Sequence, residues 1–323
     1  MLDRRTLIAS AGASLVLAGC GQGGGASATV LRVGSQKGGT KALMTAAGVL
    51  QGIDYTVEWA EFPAAQNLLE ALGSHAIDVG LVGDAPFQFA YQSGSPIQAV
   101  SAHRTEPRPS EALAIVTSAQ SSVRSLEDLR GKAIATGKGS IGHYLVLRVL
   151  DRAGWTTDDV KLVFLSPSDA AAALAAGSVA AWSTWVPYVP LALAQGGRVV
   201  VDGRDYVLGY TFEVANVAAI EKKREILSDF LGREAAALAW AASHLDEYGK
   251  VLAHETGLPP AVARIAVEKN ARSAAPIDDR LIQEQRVVLD TFAHAGEVKA
   301  SRPLSQAFLP GLLPAAPLAK APA

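Results

Sequence analysis

Apolar stretches and amphipathic stretches alternate along most of this chain. Val30–Gly34 is apolar, Lys41–Leu50 has a helical period, and Tyr55–Phe62 alternates apolar and polar positions, as a strand with one buried face does. A helix is predicted next, over Ala64–Leu72, and then a strand over Ile77–Val82. This strand–helix alternation predicts an α/β protein with a mostly parallel sheet flanked by helices.

The same order of elements recurs further along the chain. The second set of predicted elements is Lys132–Thr136, Gly142–Ala153, Lys161–Leu165, Asp169–Ala176 and Val179–Thr184. Lys37 and Lys138 are 101 positions apart, and so are Pro86 and Pro187, at matching places in the two sets. An internal duplication and a chance parallel between two generic α/β units both explain the spacing. Either explanation predicts two α/β lobes with similar loops at the carboxyl ends of their strands.

Two extended apolar stretches, Glu111–Val116 and Phe212–Val217, flank the second set and are predicted to be the crossover strands between the lobes. We therefore expect lobe 1 to comprise residues 30–112 and 216–301, and lobe 2 to be an insertion at 113–215. The helices predicted after Ala219 are Glu221–Phe230, Arg233–His254, Pro260–Asn270 and Asp279–Ala295. Residues 302–323 are rich in proline and alanine and are predicted to form a loosely ordered tail.

The first 19 residues have the features of an export signal. Arg4 and Arg5 precede a short apolar stretch, which ends in Leu-Ala-Gly before Cys20. Small residues before a lone cysteine predict a lipoprotein signal peptide at 1–19, acylation of Cys20, and a flexible tether at 20–29. An ordinary secretory signal with an incidental cysteine is the alternative, and the paired arginines leave general secretory and twin-arginine export open.

Composition narrows the classes of function. The formal net charge of −2 and the isoelectric point near 6.3 give no general attraction to nucleic acid. A single cysteine excludes an intrachain disulfide and any cysteine-rich metal site. No zinc-protease, nucleophile-elbow or phosphate-loop motif is present, so we predict no catalytic residues, no metal and no cofactor. We expect a monomer.

Two loops carry candidate binding chemistry. In the first, Gln36 offers an amide donor, Thr40 offers a hydroxyl, and Gly38 permits close backbone approach. The second, Gly137–Gly142, matches G-x-G-x-x-G between a predicted strand and a predicted helix. The acidic residue that a dinucleotide site needs at the end of the next strand is missing. Glycine-rich backbone at a helix start favours a small anion, with a plain tight turn as the alternative.

Other candidates lie near the same predicted strand ends. Ser140 and His143 are spaced for a serine–histidine pair, although His143 at a helix start more often stabilises the helix or lines a pocket. Asp84 either caps the following turn or contacts a ligand amine. Trp185, in a turn, is the better candidate for a ligand wall. For Trp182, a place in the core and a place in the cleft are both open.

Several motifs resemble those of the aliphatic sulfonate-binding proteins of bacterial ABC importers, a group with taurine- and nitrate-binding relatives. They are Gln36-Lys37-Gly38, Glu61-Phe62-Pro63, Gly80-Leu81-Val82-Gly83-Asp84-Ala85-Pro86, Gly137-Lys138-Gly139-Ser140-Ile141-Gly142-His143-Tyr144 and Trp182-Ser183-Thr184-Trp185-Val186-Pro187-Tyr188. The similarity runs from Leu31 to Phe308. It implies a two-lobed periplasmic-binding-protein fold of type II, with a ligand held in the cleft and delivered to a membrane permease.

Carried over by motif, the resemblance implies a set of ligand-facing positions. They are Gln36, Gly83, Asp84, Ala85, Ser140 and Trp185, to which we add Gly38, Thr40, His143 and Glu213 as candidates. An organosulfonate head is expected on neutral donors: the Gln36 amide, the Ser140 hydroxyl and backbone N–H groups near Gly38 and Gly139. The ligand tail is expected against Trp185.

One departure from the family pattern bears on specificity. The family often has Trp-Asp-Pro-Tyr, whereas Val186 occupies the aspartate position here. This favours alkyl or aryl sulfonates over taurine-like aminosulfonates. The alternatives are a binder of nitrate, bicarbonate or a thiamine pyrimidine, and a pyrimidine-synthesising enzyme of the same fold. Such enzymes resemble a different motif set with clustered cysteines, and the single cysteine here argues against that reading.

Overall fold

The computed structural model describes residues 29–313. The predicted signal peptide, Cys20, the predicted tether up to residue 28 and the chain from residue 314 lie outside the described residues. The strands are β1 (Val30–Gln36), β2 (Thr56–Phe62), β3 (Val79–Gly83), β4 (Ile97–Arg104), β5 (Leu113–Thr117), β6 (Ala133–Thr136), β7 (Lys161–Phe164), β8 (Ala181–Trp185), β9 (Arg198–Asp202), β10 (Tyr210–Asn216) and β11 (Ser273–Ala275). The α-helices are α1 (Thr40–Ala46), α2 (Ala65–Gly73), α3 (Asp84–Gln92), α4 (Ile141–Ala153), α5 (Pro167–Ala175), α6 (Tyr188–Ala194), α7 (Val217–Lys222), α8 (Arg224–Ala241), α9 (Leu245–Thr256), α10 (Pro260–Lys269) and α11 (Asp279–His294).

The strands form two sheets with matching topology. The first sheet has the order β11-β4-β10-β3-β1-β2, and the second has the order β7-β6-β8-β5-β9. In the first, β1 pairs in parallel with β2 and β3, and β10 pairs antiparallel with both β3 and β4. In the second, β6 pairs in parallel with β7 and β8, and β5 pairs antiparallel with β8 and β9. Helices flank both sheets, so the predicted α/β fold with two lobes is confirmed.

In each lobe, the strand that follows a crossing from the other lobe runs antiparallel to both of its neighbours: β5 in the second lobe and β10 in the first. The chain passes from β4 in the first sheet to β5 in the second, and from β9 in the second back to β10 in the first. The crossings are therefore residues 105–112 and 203–209. The expected boundary at 215 is wrong, because β10 places Phe212 and Val214, both fully buried, in the core of the first lobe.

Two other expectations need correction. The break expected between Glu221–Phe230 and Arg233–His254 is absent, because α8 runs unbroken from Arg224 to Ala241. The break falls instead at Ala242–His244, before α9, where the His244 ring stacks on Trp240 with centroids 4.6 Å apart. Helix α3 and strand β4 were not predicted; their residues are almost entirely buried, so a solvent-facing polar side does not mark them in the sequence.

The segment from Arg302 to Leu313 is not the loose tail that its composition predicts. Phe308 is 4% exposed, and its ring lies 5.6 Å from the ring of Phe87 and 5.4 Å from that of Phe212. Backbone hydrogen bonds join Ala99 to Ala307 and Leu309. Proline and alanine content predicted disorder here, but a buried aromatic anchor and these hydrogen bonds fix the segment against β4.

The two lobes pack on each other beside the cleft. Helix α4 of the second lobe contacts α11, where the rings of Tyr144 and Phe292 lie 5.9 Å apart. The Tyr188 hydroxyl donates to the Pro63 carbonyl at 3.2 Å, across the mouth of the cleft. None of the helices in the described part of the chain combines the length and hydropathy that a membrane span requires.

Phe308→Ala tests whether residues 302–313 stabilise the first lobe. We expect the free energy of unfolding to fall by about 3–5 kcal/mol, the usual cost of truncating a buried phenylalanine. Urea unfolding measures it. Val287→Ala, on an exposed face of α11 where Val287 is 41% exposed, is the control and should change stability little. Equal effects of the two substitutions would show that the segment is not part of the core.

Candidate ligand-binding cleft

A cavity of about 220 Å³ lies between the two lobes. It is lined by the β1–α1 and β3–α3 connections of the first lobe and by the β6–α4 and β8–α6 connections of the second. This volume is smaller than the roughly 300–1,000 Å³ typical of drug-sized ligands, so the cavity suits a small molecule. The carboxyl ends of the parallel strands in both lobes therefore meet at one site.

The β1–α1 loop brings Gln36 and Gly38 to the cleft. The Gln36 side-chain amide donates to the Leu81 carbonyl at 2.9 Å, which fixes its orientation and engages one of its two N–H groups. Gly38 has a φ of +77°, and a Cβ there would lie 2.8 Å from Leu252 Cδ1. The sequence therefore places glycine where both the backbone conformation and the neighbouring side chain require it.

The Gly137–Gly142 loop is held in place by its own residues. Ser140 caps helix α4 and its hydroxyl oxygen accepts from the His143 backbone N–H at 3.0 Å. The His143 ring accepts from the Gly139 N–H through Nδ1, at 3.1 Å. Burial lowers the pKa of His143 to about 4, against the opposing charge of Glu297, so the ring is neutral and free to accept. The Gly139 N–H, expected to face an anion, is thus already engaged.

The contacts between Ser140 and His143 hold the loop in place and do not join the hydroxyl to the imidazole ring. Ser140 contacts the backbone of His143 rather than its ring, and its hydroxyl lies 3.3 Å from that of Thr136. His143 is fully buried, and its ring packs on Phe292 with centroids 5.6 Å apart. It therefore supports the loop and does not line the cleft, whereas Ser140 does.

Asp84 lies at the start of α3 and lines the cleft, as does Gly83. Its Oδ1 accepts from the Ala85 N–H at 2.8 Å, while its buried Oδ2 has no hydrogen-bond partner among the described residues. Burial raises the pKa of the carboxyl to about 6, although the Ala85 N–H opposes the shift. Near neutral pH the cleft therefore contains a carboxylate whose charge is only weakly stabilised.

Trp185 and Val186 form part of an apolar wall from the second lobe. The Trp185 ring meets that of Tyr188 edge to face, with centroids 6.0 Å apart. Trp182 is 3% exposed and belongs to the core of the second lobe, so it does not reach the ligand space. The turn after β8 therefore presents one tryptophan, together with the valine that replaces the family's aspartate.

Three further predicted site residues do not line the cleft. Ala85, in the first turn of α3, is fully buried. Thr40 and Glu213 are also fully buried, and the Thr40 hydroxyl donates to Glu213 Oε1 at 3.3 Å. Thr40 and Glu213 point from a helix and a strand into the first lobe, whereas Ala85 packs in a cluster with Tyr144 of α4 and Phe292 of α11.

Basic side chains that the sequence motifs do not indicate also line the cleft. They are Arg108, Arg204, Lys269 and Arg272, in addition to Lys37. Lys269 donates to the Ser110 carbonyl at 2.7 Å and forms an ion pair with Glu111, and Arg108 donates to the Val207 carbonyl. Arg108 and Arg204 belong to the crossings, whereas Lys269 ends α10 and Arg272 follows it. All four lie outside the glycine loops, so no local pattern could identify them.

A family profile described as NMT1/THI5 like matches residues 51–247 of the chain. An aliphatic sulfonates-binding protein of Escherichia coli K12 is 33% identical over 267 residues, which cover 81% of this chain and 83% of that protein. A taurine-binding periplasmic protein of the same strain is 31% identical over 147 residues, 46% of this chain and 44% of that protein. These similarities confirm the resemblance inferred from the motifs.

Solved structures show the same fold. The alkanesulfonate-binding protein SsuA of Xanthomonas axonopodis pv. citri, bound to MOPS, superposes with a TM-score of 0.80 at 30% identity, over 88% of this chain and 99% of that one. The periplasmic aliphatic sulphonate binding protein SsuA of Escherichia coli gives 0.75 at 31% identity, over 87% and 97%. The desulfurization enzyme DSZB, at 16% identity and a TM-score of 0.64, shares the fold alone.

Gly139→Ala tests the fit of the second-lobe loop against the first lobe. Gly139 has a φ of +68°, and a Cβ there would lie 2.7 Å from the Phe89 ring. Gly177→Ala is a matched control, because Gly177 has a φ of +70° with nothing within 4 Å. Both substitutions should cost about 1 kcal/mol for the left-handed backbone. Gly139→Ala should cost about 1–3 kcal/mol more for overpacking, as measured by chemical unfolding; equal losses would contradict the contact.

Proposed function

The chain belongs to the NMT1/THI5-like family and is similar to its aliphatic sulfonate-binding members, and from this we propose that it is the extracytoplasmic substrate-binding component of an ABC importer for organosulfonates. The observation that carries the proposal is the composition of the cleft between the lobes. Both lobes line it, with five basic side chains against the one carboxyl of Asp84, and with apolar side chains that include Trp185. Such a site suits a small anion with an apolar tail.

The charged part of the cleft fits a sulfonate head. A sulfonate stays ionised at physiological pH, so its recognition needs fixed donors and positive charge. Gln36 keeps one amide N–H beyond the bond to Leu81, and the Ser140 hydroxyl can also donate. Charge-assisted hydrogen bonds of this kind contribute roughly 1.5–3 kcal/mol each. We propose Gln36, Gly38, Gly83 and Ser140 as polar contacts of the sulfonate head, and not Asp84, whose ionised carboxylate has no proton to donate.

The apolar wall fits an alkyl or aryl tail. The apolar lining includes Trp185, Val186, Leu81 and Ile141. The Val186 side chain has no acceptor for a ligand amine. The carboxyl of Asp84 lines the cleft but is buried, and burial stabilises its charged form poorly. We therefore propose alkyl or aryl sulfonates as the substrate class, ahead of aminosulfonates.

We also propose that the protein binds its ligand without transforming it. The Ser140–His143 arrangement lacks the ring-to-hydroxyl contact that activates a nucleophile. The chain's one cysteine is Cys20, far from the cleft residues in sequence, and the resemblance to DSZB concerns the fold alone. Recovery of unchanged ligand after incubation and denaturation supports this reading, and any product would overturn it.

A series of linear sulfonates tests the substrate class. Affinity should rise from methanesulfonate to pentanesulfonate, because each buried CH₂ adds about 0.8 kcal/mol. Thermal melts report it, since a ligand at about 100 times its Kd stabilises the protein by roughly 2.7 kcal/mol. Trp185→Ala should flatten the dependence on chain length.

Trp155→Ala is the matched control for that substitution. Trp155 packs under Arg130, 4.5 Å from its guanidinium, in a groove of the second lobe outside the cleft. This variant should keep the full chain-length dependence. If no sulfonate shifts the melt while nitrate, bicarbonate or a pyrimidine does, the sulfonate assignment is wrong and that ligand takes its place.

We propose that the protein acts outside the cytoplasm, attached to a membrane by lipid on Cys20, as a monomer. The periplasmic relatives and the Leu-Ala-Gly-Cys boundary support this location. The tether between Cys20 and β1 would let the two lobes reach a membrane permease.

Cys20→Ala tests the anchor. In fractionated cells the full-length protein should follow the membrane fraction, and the Cys20→Ala variant should be released with the soluble exported proteins, because acylation supplies the only attachment proposed. Ser27→Ala, in the same tether, is the control and should stay with the membranes. Unchanged membrane association of the Cys20→Ala variant would refute the lipid anchor.

A further inference from the structure

A cluster of buried ionisable groups lies behind the cleft, inside the first lobe. Glu213 of β10 and Glu234 of α8 are fully buried, and His103 of β4 is 1% exposed. Glu213 and His103 lie on the face of the first sheet that α1, α8 and α9 cover, opposite the face that carries Phe212. The mechanism proposed for the cleft uses none of these three groups.

The hydrogen bonds of the cluster require a bound proton. Thr40 donates to one oxygen of Glu213, while Glu213 Oε2 and both oxygens of Glu234 have no partner among the described residues. The Glu234 carboxyl lies 3.9 Å from the ring of His103, which shares its sheet face with Glu213, and burial together with the charge of Glu234 raises the pKa of Glu213. Two buried, neighbouring carboxylates are strongly disfavoured from both being ionised, and one shared proton supplies a hydrogen bond between two of these three oxygens. Burial raises the pKa of both groups.

His103 does not supply that proton. Burial, assisted by Arg272, lowers the pKa of His103 to about 3, so its ring is neutral and its 3.9 Å approach to Glu234 Oε2 is not an ion pair. Tyr248 of α9 also faces the cluster, and burial raises its pKa, so it carries no charge. The pair therefore holds one proton and one negative charge.

Arg272 lies between this pair and the cleft. It lines the cavity, and its positive charge lowers the pKa of both Glu213 and Glu234. Its buried Nε has no hydrogen-bond partner in the described residues. Lys269 and Arg108, by contrast, are already paired with Glu111 and with a backbone carbonyl. Arg272 is thus the lining cation with an unpartnered buried donor and a buried countercharge.

We propose that Arg272 is the residue that binds the anionic head of the ligand, and that its charge is shared between the ligand and the Glu213–Glu234 pair, so that an anion binds together with a proton. This inference rests on the proposed function and identifies the residue that sets selectivity for anions. A bound sulfonate pairs with Arg272, so that Arg272 compensates less of the negative charge on the Glu213–Glu234 pair. The sulfonate also adds a second negative charge near the pair. The remaining carboxylate then takes up a proton from solution.

The sign of the pH dependence follows from this linkage. The ligand itself does not titrate, so any change in affinity between pH 5 and 8 comes from the protein. Because the complex holds more protons than the free protein, affinity must rise as pH falls through the titration of the pair. Uptake of a single proton limits the change to about tenfold per pH unit.

Calorimetric titration with pentanesulfonate in two buffers of different ionisation enthalpy measures both affinity and proton uptake. For the wild-type protein we expect binding to weaken from about pH 5 to about pH 8.5, with uptake of at most one proton. Glu234→Gln should reduce the uptake and the pH dependence, and Asp84→Asn removes the separate share of the cleft carboxyl, whose pKa of about 6 lies in the same range. Glu247→Gln, an exposed carboxyl on α9, is the matched control and should behave as wild type.

Substitution of the arginine tests the anion contact separately. Arg272→Gln should weaken pentanesulfonate binding about ten- to a hundred-fold, the equivalent of one charge-assisted bond. Arg272→Lys should recover part of the affinity and retain proton uptake, which a merely structural arginine would not do. Arg264→Gln removes a surface cation paired with Asp246 and Glu268 and should not change binding. Melts of the ligand-free variants verify that each is folded.

The outcomes separate the inference from the function on which it rests. A wild-type protein that binds pentanesulfonate with constant affinity and no proton uptake overturns the linkage. Equal affinities for Arg272→Gln and Arg264→Gln overturn the role of the arginine. A wild-type protein that binds no sulfonate at any pH overturns the proposed function, and this inference with it.

Discussion

The pairing of β10 with β3 and β4 is the interaction on which the rest of the structure depends. This strand returns the chain from the second lobe and enters the middle of the first sheet, antiparallel to both neighbours. Because its side chains alternate, Phe212 joins the core beneath α3 while Glu213 faces the helices on the other side. One strand therefore completes the hydrophobic core, returns the chain from the second lobe and carries one carboxyl group of the pair behind the cleft.

Much of the architecture could be predicted from local patterns in the sequence. The strand–helix order and the spacing of Lys37 and Lys138 predicted two similar lobes, because hydrophobic period and glycine stops are local signals. The limits of the lobes were harder to predict. Strand β10 is apolar on one face and polar on a buried face, so its sequence does not show which sheet it completes. The same holds for Phe308, whose burial depends on Phe212 and Phe87, which are 96 and 221 residues away along the chain.

The cleft shows a second kind of difficulty. Residue types predicted donors at Gln36, Ser140 and Gly139, but a donor is available to a ligand only when the fold leaves it unused. The Gly139 N–H is engaged by His143, and one Gln36 N–H is engaged by Leu81. Arg272 has no motif around it and reaches the cleft only because β11 is added to the edge of the first sheet. Its place depends on tertiary structure, which a local pattern cannot report.

The insertion of one lobe into the other also affects the order in which the chain can fold. The second lobe is a continuous stretch, and all of its strands lie between Leu113 and Asp202. The first sheet needs β10 between β3 and β4, and its core is complete only when Phe308 is in place. Contacts between distant segments carry a larger loop-closure entropy and form more slowly. During synthesis the second lobe can therefore fold before the last segment of the first lobe, which includes Phe308, has been made.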